Sequence, residues 1–295
     1  MMNAMGSMSE EQLRAAKNEV WAMQLGRLRH HLPDMRASQA ELAHSVGQLQ
    51  VTEGTATRIY AWNALCSLAQ MHKSAVLALD NSCDFSAQSL AQDAIQLAVN
   101  VAYVLDDPTG DRLSGALRNL LDTQRARFAA WQSAIPGDEG PGFQVERLAL
   151  LCRSSPWYAS APAWPPVAMR ADAVGLGAWV HSVLSATVDT EQAVSQELMN
   201  FLTCERGSPA ERRAAHVYRT ARCASDALYM EAVALRLFAD ALYRMASLLK
   251  DVVASTVAES AIEKMDAVIA AYIQLSEAHL NDTNMYMAVR WSEDV

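Results

Sequence analysis

Glycine and proline are scarce in this chain of 295 residues, which contains 12 glycines and 9 prolines. A protein built from β-hairpins needs many tight turns, and these two residues are the ones that most readily form them. Their scarcity therefore argues against an all-β fold. The chain also lacks the roughly 18 consecutive apolar residues that a membrane-spanning helix requires, because the longest candidate, 94–105, contains Gln96 and Asn100.

An excess of basic charge is missing as well. The chain carries 24 basic and 33 acidic residues, which gives a net charge of −9 and a surface that repels a phosphate backbone. Neither of its two basic segments is interleaved with aromatic residues as a nucleic-acid stacking surface would be. The first segment contains Arg27, Arg29, His30, His31 and Arg36, and the second contains Arg212, Arg213, Arg219 and Arg222. The composition therefore does not favour a nucleic acid as partner.

The five cysteines are dispersed and form no CxxC pair. Residues 1–11 show no basic region followed by an apolar run, so we predict no secretory signal there. Unpaired, scattered cysteines are typical of reduced thiols in a cytosolic protein. We therefore expect a cytoplasmic protein with no membrane contact.

Hydrophobic residues make up 51% of the chain and charged residues 19%, which is enough apolar material for a large core. Apolar residues recur at helical spacing along most of the chain, and no strand-like alternation stands out. We predict an all-α fold: a single large multi-helix bundle with long antiparallel helices over residues 9–295, after a disordered leader at 1–8. The Pro- and Trp-rich segment 154–166 is predicted to be the longest irregular stretch, held to the body by Trp157 and Trp164.

Capping patterns and prolines predict where the helices begin and end. Pro33 is expected to end the first helix, and Ser38 and Thr256 are expected to cap two later ones. The long segment from Pro209 to about Ala254 has an apolar stripe with an average period of 3.5 residues, which is typical of a helix packed along another helix. If part of that stripe is left uncovered, a symmetric homodimer through the long helices would bury it. The predicted helices span 9–31, 38–49, 55–80, 84–105, 111–131, 143–152, 167–188, 190–204, 209–254 and 256–279.

Four amide side chains recur every four residues in the apolar helix 84–105: Gln88, Gln92, Gln96 and Asn100. Buried amides need hydrogen-bond partners, because an unpaired one costs about 1–3 kcal/mol. The row either faces solvent or lines a polar seam inside the bundle. The apolar residues on both sides of it favour the inward seam.

His181, Ser185 and Asp189 lie four residues apart in turn and so share one helix face. Their types match a hydrolytic triad, but side chains stacked along one helix supply neither an exposed nucleophile nor an oxyanion hole. A polar face or hydrogen bonding between helices is the simpler interpretation. His72, on the apolar stripe of its own helix, is predicted to be a hydrogen-bonded core histidine.

Two patterns suggest metal binding but are incomplete. Asp106, Asp107 and Asp111 form an aspartate cluster, but a proline and a glycine inside it interrupt the helix that a magnesium-diphosphate site would need. Glu41 and His44 form one ExxH pair, whereas a di-iron bundle requires two. We therefore predict no metal and no cofactor, and interpret the aspartates as a helix end followed by the cap of the next helix.

Two stretches of the sequence resemble elements of a known family. The runs FSAQSLAQDAIQLAVNVAYVL (85–105) and WPPVAMRADAVGLGAWVHSVLSATVD (164–189) are similar to motifs of domain-of-unknown-function family 5677, which occurs in bacterial all-helical proteins. The resemblance implies that the family's Arg, Glu and His fall on Gln92, Gln96 and Asp189, while its Ser is retained as Ser185. It supports the all-helical fold and implies no activity.

These observations define a candidate ligand site around the polar seam. A lone Asp189 in an apolar interior would need donors, which Gln92, Gln96 or Arg170 can supply. Alternatively, Asp189 caps the helix that begins near Thr190. The candidate ligand-binding residues are Gln92, Gln96, Asn100, Trp164, Arg170, His181, Ser185 and Asp189.

Two functions from different classes remain open. The first is a non-catalytic helical protein that binds a partner or a small ligand, which the 14 methionines favour because methionine suits adaptable apolar contacts. The alternative is a helical nuclease related to RNA-cleaving toxins or to phage defence. Those toxins place four to six residues between an Arg and a His on one helix, whereas only three separate Arg212 from His216. No catalytic residue is therefore assigned.

Overall fold

The computed structural model describes residues 10–51, 55–135, 139–186 and 209–293 of the chain. Nearly all of these residues are helical and none is in a strand, which confirms the all-α multi-helix prediction. A short 3₁₀ turn, Arg27–His31, separates the first two helices. The α-helices are α1 Glu10–Gly26, α2 Leu32–Gln48, α3 Ala56–Asp80, α4 Asp84–Leu105, α5 Asp111–Ala134, α6 Glu139–Ser154, α7 Pro156–Ser160, α8 Val167–Ala173, α9 Gly177–Ala186, α10 Pro209–Leu249 and α11 Val252–Glu293.

The long helix α10 lies at the centre of the core. Helices α1, α3, α4 and α11 pack against it, and Leu228, Leu235, Phe238 and Leu242 on its apolar stripe are almost completely buried. From Leu228 to Ala246 the stripe is covered by the chain's own helices. A dimer through α10 would require an uncovered stripe. This part of the helix leaves none uncovered.

The helices that carry the strongest sequence signals have the predicted bounds. Helix α3 begins after Thr55, whose Oγ1 accepts a hydrogen bond from the Arg58 N–H at 3.5 Å. Helix α4 ends at Leu105, shortly before Pro108, because a proline disfavours helical geometry in the residue that precedes it. Asp107 then accepts hydrogen bonds from the N–H groups of Thr109 and Arg112 at 2.9 and 2.8 Å, so the aspartate cluster is a helix end and a cap.

Several of the predicted helix starts and stops are wrong. Helix α10 ends at Leu249 rather than near 254, and α11 continues to Glu293, beyond the predicted end at 279. Pro33 does not end a helix; it is the second residue of α2, a position where a missing backbone N–H costs nothing. Ser38 therefore lies inside α2 and is fully buried. The last helix begins at Val252 rather than Thr256, because Asp251 Oδ1 caps it by accepting the Ala254 N–H at 3.0 Å.

The predicted helix 167–188 is broken into α8 and α9. Gly175 between them has a φ of +78°, and the hydrogen bond from the Leu176 N–H to the Ala171 carbonyl closes α8 in a Schellman motif. The irregular segment 154–166 is also shorter than predicted, because residues 156–160 form α7. Trp164 anchors this segment, since it packs edge-on against Tyr103 with ring centroids 5.4 Å apart. Trp157 is about one-third exposed and lines a cavity together with Leu105 and Leu248.

Two predictions fall outside the described residues: the leader at 1–8 and the helix at 190–204. Within the described ranges, no helix combines the length and the apolar character needed to cross a bilayer.

Candidate functional site

A cleft opens beside the N-terminal half of α10. Its other walls are the end of α1, the 3₁₀ turn and the α3–α4 turn, and it encloses about 430 Å³. A second cavity of about 340 Å³ adjoins it and shares Ser82, Asp84, His216 and Thr220 with it. The combined space is in the size range of small-molecule sites.

The floor of the cleft is apolar. Leu25, Leu28 and Leu228 line it and are at most 2% exposed, because the 3₁₀ turn after α1 and the α10 stripe pack against each other. Val217 lies at the rim and is about half exposed. A ligand that enters the cleft therefore meets mainly hydrocarbon surface.

Asp84 is the carboxylate in this cleft. It is the first residue of α4, and only 9% of its surface is accessible to solvent. Its Oδ1 has no hydrogen-bond partner among the described residues. The closest cation is the Arg29 guanidinium, whose Nη2 is 3.9 Å from Oδ1. Burial raises the pKa of Asp84 above its ordinary value, and Arg29 opposes that shift without cancelling it.

The α3–α4 turn positions Asp84. Ser82 has a φ of +57°, and the Cys83 N–H donates to the Ala78 carbonyl at 2.8 Å, which is the Schellman motif that usually places a glycine at this position. A residue other than glycine in this conformation costs about 1–2 kcal/mol. The Ser82 hydroxyl accepts a hydrogen bond from Arg29 Nη2 at 2.9 Å, so the turn also fixes the cation beside the carboxylate.

The rim of the cleft joins the two basic segments of the sequence. Arg29 comes from the first segment, whereas Arg219 and the neighbouring His216 come from α10. They meet because α1 packs along α10. The site can therefore take an apolar molecule with a hydrogen-bond donor at its inner end. No group of three or more His, Cys, Asp or Glu side chains suited to a metal occurs within the described part of the chain.

The amide row does not form the predicted inward seam. Gln96 is exposed, Gln92 and Asn100 are half-buried, and Gln88 donates to the Cys223 carbonyl at 3.3 Å. The prediction that Gln96 faces inward is wrong, because each four-residue step advances about 40° around a helix of 3.6 residues per turn. Asn100 is the member that carries a buried oxygen without a hydrogen-bond partner in the described structure.

Two of the other candidate residues, Trp164 and Arg170, are brought together by the structure. The Arg170 guanidinium lies 4.5 Å from the centre of a Trp164 ring and donates a hydrogen bond to the Pro165 carbonyl. Arg170 is 6% exposed, and burial lowers its pKa. This contact holds the irregular segment against α8. The face of the guanidinium that covers the Trp164 ring is not open to a ligand.

The remaining candidates are not assembled into a site. His181 Nε2 pairs with Asp172 at 3.3 Å, and both side chains are more than half exposed. Ser185 belongs to α9. Asp189 lies outside the described residues, so its approach to Gln92 or Arg170 stays a prediction.

A polar feature that the sequence did not reveal is a buried, hydrogen-bonded pair of ionisable side chains in the core. His72 Nδ1 of α3 and Glu231 Oε1 of α10 are 2.8 Å apart, and both side chains are 0% exposed. The prediction of a hydrogen-bonded core histidine is confirmed. The only signal for its partner was a single carboxylate inside the apolar stripe of α10.

Comparisons of this chain with protein-family models, curated proteins and solved structures found no match.

Proposed function

We propose that this protein is a non-catalytic binding protein that holds a small apolar amine in the cleft beside α10. The observation that carries the proposal is the buried carboxylate of Asp84, which lines a cleft of about 430 Å³ while its Oδ1 lacks a hydrogen-bond partner. Buried polar groups in native proteins are almost always satisfied. A donor supplied by a ligand in the cleft would satisfy this one once the carboxylate rotates its solvent-inaccessible Oδ1 toward the cleft.

An amine fits the charge of the site better than a neutral donor does. Desolvation disfavours the ionised form of Asp84 and raises its pKa, and a cation placed beside the carboxylate reverses that effect. Arg29 does not already fill this role, because it is 3.9 Å from Oδ1 and its Nη2 donates to Ser82. The apolar floor formed by Leu25, Leu28 and Leu228 would hold the hydrocarbon part of the ligand.

Three probes with the same chain length test the proposal: hexylamine, hexanol and hexanoate. Calorimetric titration is expected to show that hexylamine binds most tightly. The Asp84→Asn variant should weaken hexylamine binding by roughly 10- to 100-fold, the loss expected for a hydrogen bond to a charged group. Asp93→Asn is the matched control, because Asp93 is an exposed carboxylate on the same helix.

Either of two results would overturn the proposal. Tighter binding of hexanoate than of hexylamine would show that Arg29 and Arg219 at the rim, rather than Asp84, select the ligand. Equal binding of hexylamine to the wild type and to a folded Asp84→Asn variant would remove the carboxylate from recognition.

One observation favours the enzymatic alternative, a helical nuclease. His216 lies at the rim of the cleft together with Arg219, and Arg29 faces them, which is the combination of a titratable base and cations that phosphodiester cleavage uses. The test is cleavage of single-stranded RNA and DNA by the wild type and by His216→Ala. Activity that disappears in the variant would support the nuclease over the binding protein.

A further inference from the structure

A hairpin formed by α5 and α6 projects from the core. The two helices pack along each other, but the buried residues of α5 are confined to Leu113, Gly115 and Ala116 in its first two turns. From 117 to 135 no residue is buried. Helix α7 still contacts the middle of α5, where Tyr158 donates a hydrogen bond to Asp122, so the turns beyond Asp122 are the ones that lie farthest from the core.

Large apolar side chains lie exposed on both helices of this hairpin. Trp131 on α5 is one turn from Ile135, the residue that follows the helix, and Phe143 and Leu150 are two turns apart on α6, so each side of the hairpin carries apolar residues at helical spacing. Phe143 and Leu150 are 63% and 62% exposed. The full set is Leu120, Trp131, Ile135, Phe143, Leu150 and Leu151.

We propose that these stripes are a homodimer interface, in which the hairpins of two copies of this chain combine into a four-helix bundle. Two antiparallel helices with exposed apolar stripes are half of such a bundle, and a second identical pair completes it. A two-fold axis is the most common symmetry of soluble oligomers. This interface differs from a dimer through α10, whose stripe is covered by the chain's own helices.

The exposed apolar area approaches what each partner of a stable dimer buries. Fully exposed large apolar side chains present about 150–250 Å² each, so the six half-exposed ones offer on the order of 600 Å². A standard interface buries about 800 Å² per partner, and polar rim residues supply the difference. The largest apolar patch on a typical monomer is about 300–600 Å² and is often functional, so an exposed apolar area of this size is consistent with an interaction surface.

The charge of the hairpin also suits a second copy. Residues 111–154 contain six arginines and five carboxylates, whereas the whole chain has a net charge of −9. Two hairpins therefore meet with little repulsion, while other faces of two such chains repel each other. A strongly charged partner would instead require an excess of one sign on this surface.

Light scattering coupled to size exclusion tests the interface in the full-length chain. At tens of micromolar, the expected mass is twice the 32.2 kDa of one chain. The double variant Trp131→Glu, Phe143→Glu should have the mass of one chain at the same concentration, with an unchanged helical circular dichroism spectrum. The matched control is Leu77→Glu, because Leu77 is 61% exposed on α3, outside the hairpin, and this variant should remain dimeric.

Hydrogen exchange of the wild type provides a measurement that does not depend on the variants folding. Dilution to the monomer should increase the exchange of α5 and α6 amides and leave α3 unchanged. A wild type of single-chain mass at tens of micromolar would overturn the proposal. A folded double variant that stays dimeric would overturn it as well.

Discussion

The buried pair of His72 and Glu231 tests whether two polar side chains in the core stabilise the protein or lower its stability. Its atoms Nδ1 and Oε1 are 2.8 Å apart, and the histidine ring stacks on Phe238 with centroids 5.2 Å apart. The two outer atoms, His72 Nε2 and Glu231 Oε2, have no hydrogen-bond partner among the described residues. The pair is thus fully desolvated but only half satisfied.

Leucine substitutions separate the cost of burial from the strength of the pair. His72→Leu leaves a lone carboxyl group in the core and should lower the free energy of unfolding by about 3–5 kcal/mol. Glu231→Leu leaves the imidazole of His72 without its hydrogen-bond partner and should cost about 1–3 kcal/mol. The double variant should be as stable as the wild type or more stable by about 1–4 kcal/mol, because an apolar pair replaces two half-satisfied polar groups.

The assay is urea unfolding of the four proteins at two pH values. Burial raises the pKa of Glu231 above its ordinary value of 4.5, and His72 opposes the shift. Above pH 4.5 the native state therefore retains a proton that the unfolded chain has lost, and stability falls as the pH rises toward the folded pKa. The free energy of unfolding of His72→Leu should therefore fall further below that of the double variant between about pH 5 and pH 8. A double variant that loses the sum of the two single losses would refute the reasoning.

Three further substitutions test local structure, each by thermal unfolding. Lys250→Gly should stabilise the protein by about 0.5–1 kcal/mol, because Lys250 has a φ of +58° that costs other residues more than glycine; an unchanged stability would contradict this. Gly175→Ala should destabilise the protein by about 1–2 kcal/mol, because Gly175 has a φ of +78° that strains any residue with a Cβ atom. The cost is conformational only, since no neighbour lies within 4 Å of the added Cβ. Asp107→Ala removes the acceptor for the Arg112 N–H and should cost about 1 kcal/mol, whereas Asp106→Ala, at an exposed residue, should change little.

The helices could be predicted wherever a long apolar repeat agreed with a local start or stop signal. Thr55 and Pro108 bracket α3 and α4 correctly because both signals act within one turn of the chain. Pro33 and Ser38 were misinterpreted because a proline ends one helix and begins the next equally well. The break at Gly175 was missed because apolar residues continue on both sides of it.

The cleft could not be predicted, since its residues come from three distant parts of the sequence. Arg29, Asp84 and His216 are brought together only by the packing of α1 and α4 on α10. Each of them also has an ordinary local explanation, such as an acidic residue in the first turn of a helix. The amide row was misinterpreted for the opposite reason: a regular spacing in sequence does not keep Gln92 and Gln96 on one buried face.

The pKa of Asp84 with and without ligand is the most direct test of the proposed function. Carbon-13 NMR of the labelled carboxyl group follows its titration in the free protein and in the presence of saturating hexylamine. We expect a pKa above the ordinary value of 3.8 in the free protein and a lower one with hexylamine bound, because the ammonium group favours the charged carboxylate. Binding of hexylamine without any change in that pKa would place the amine elsewhere and contradict the account.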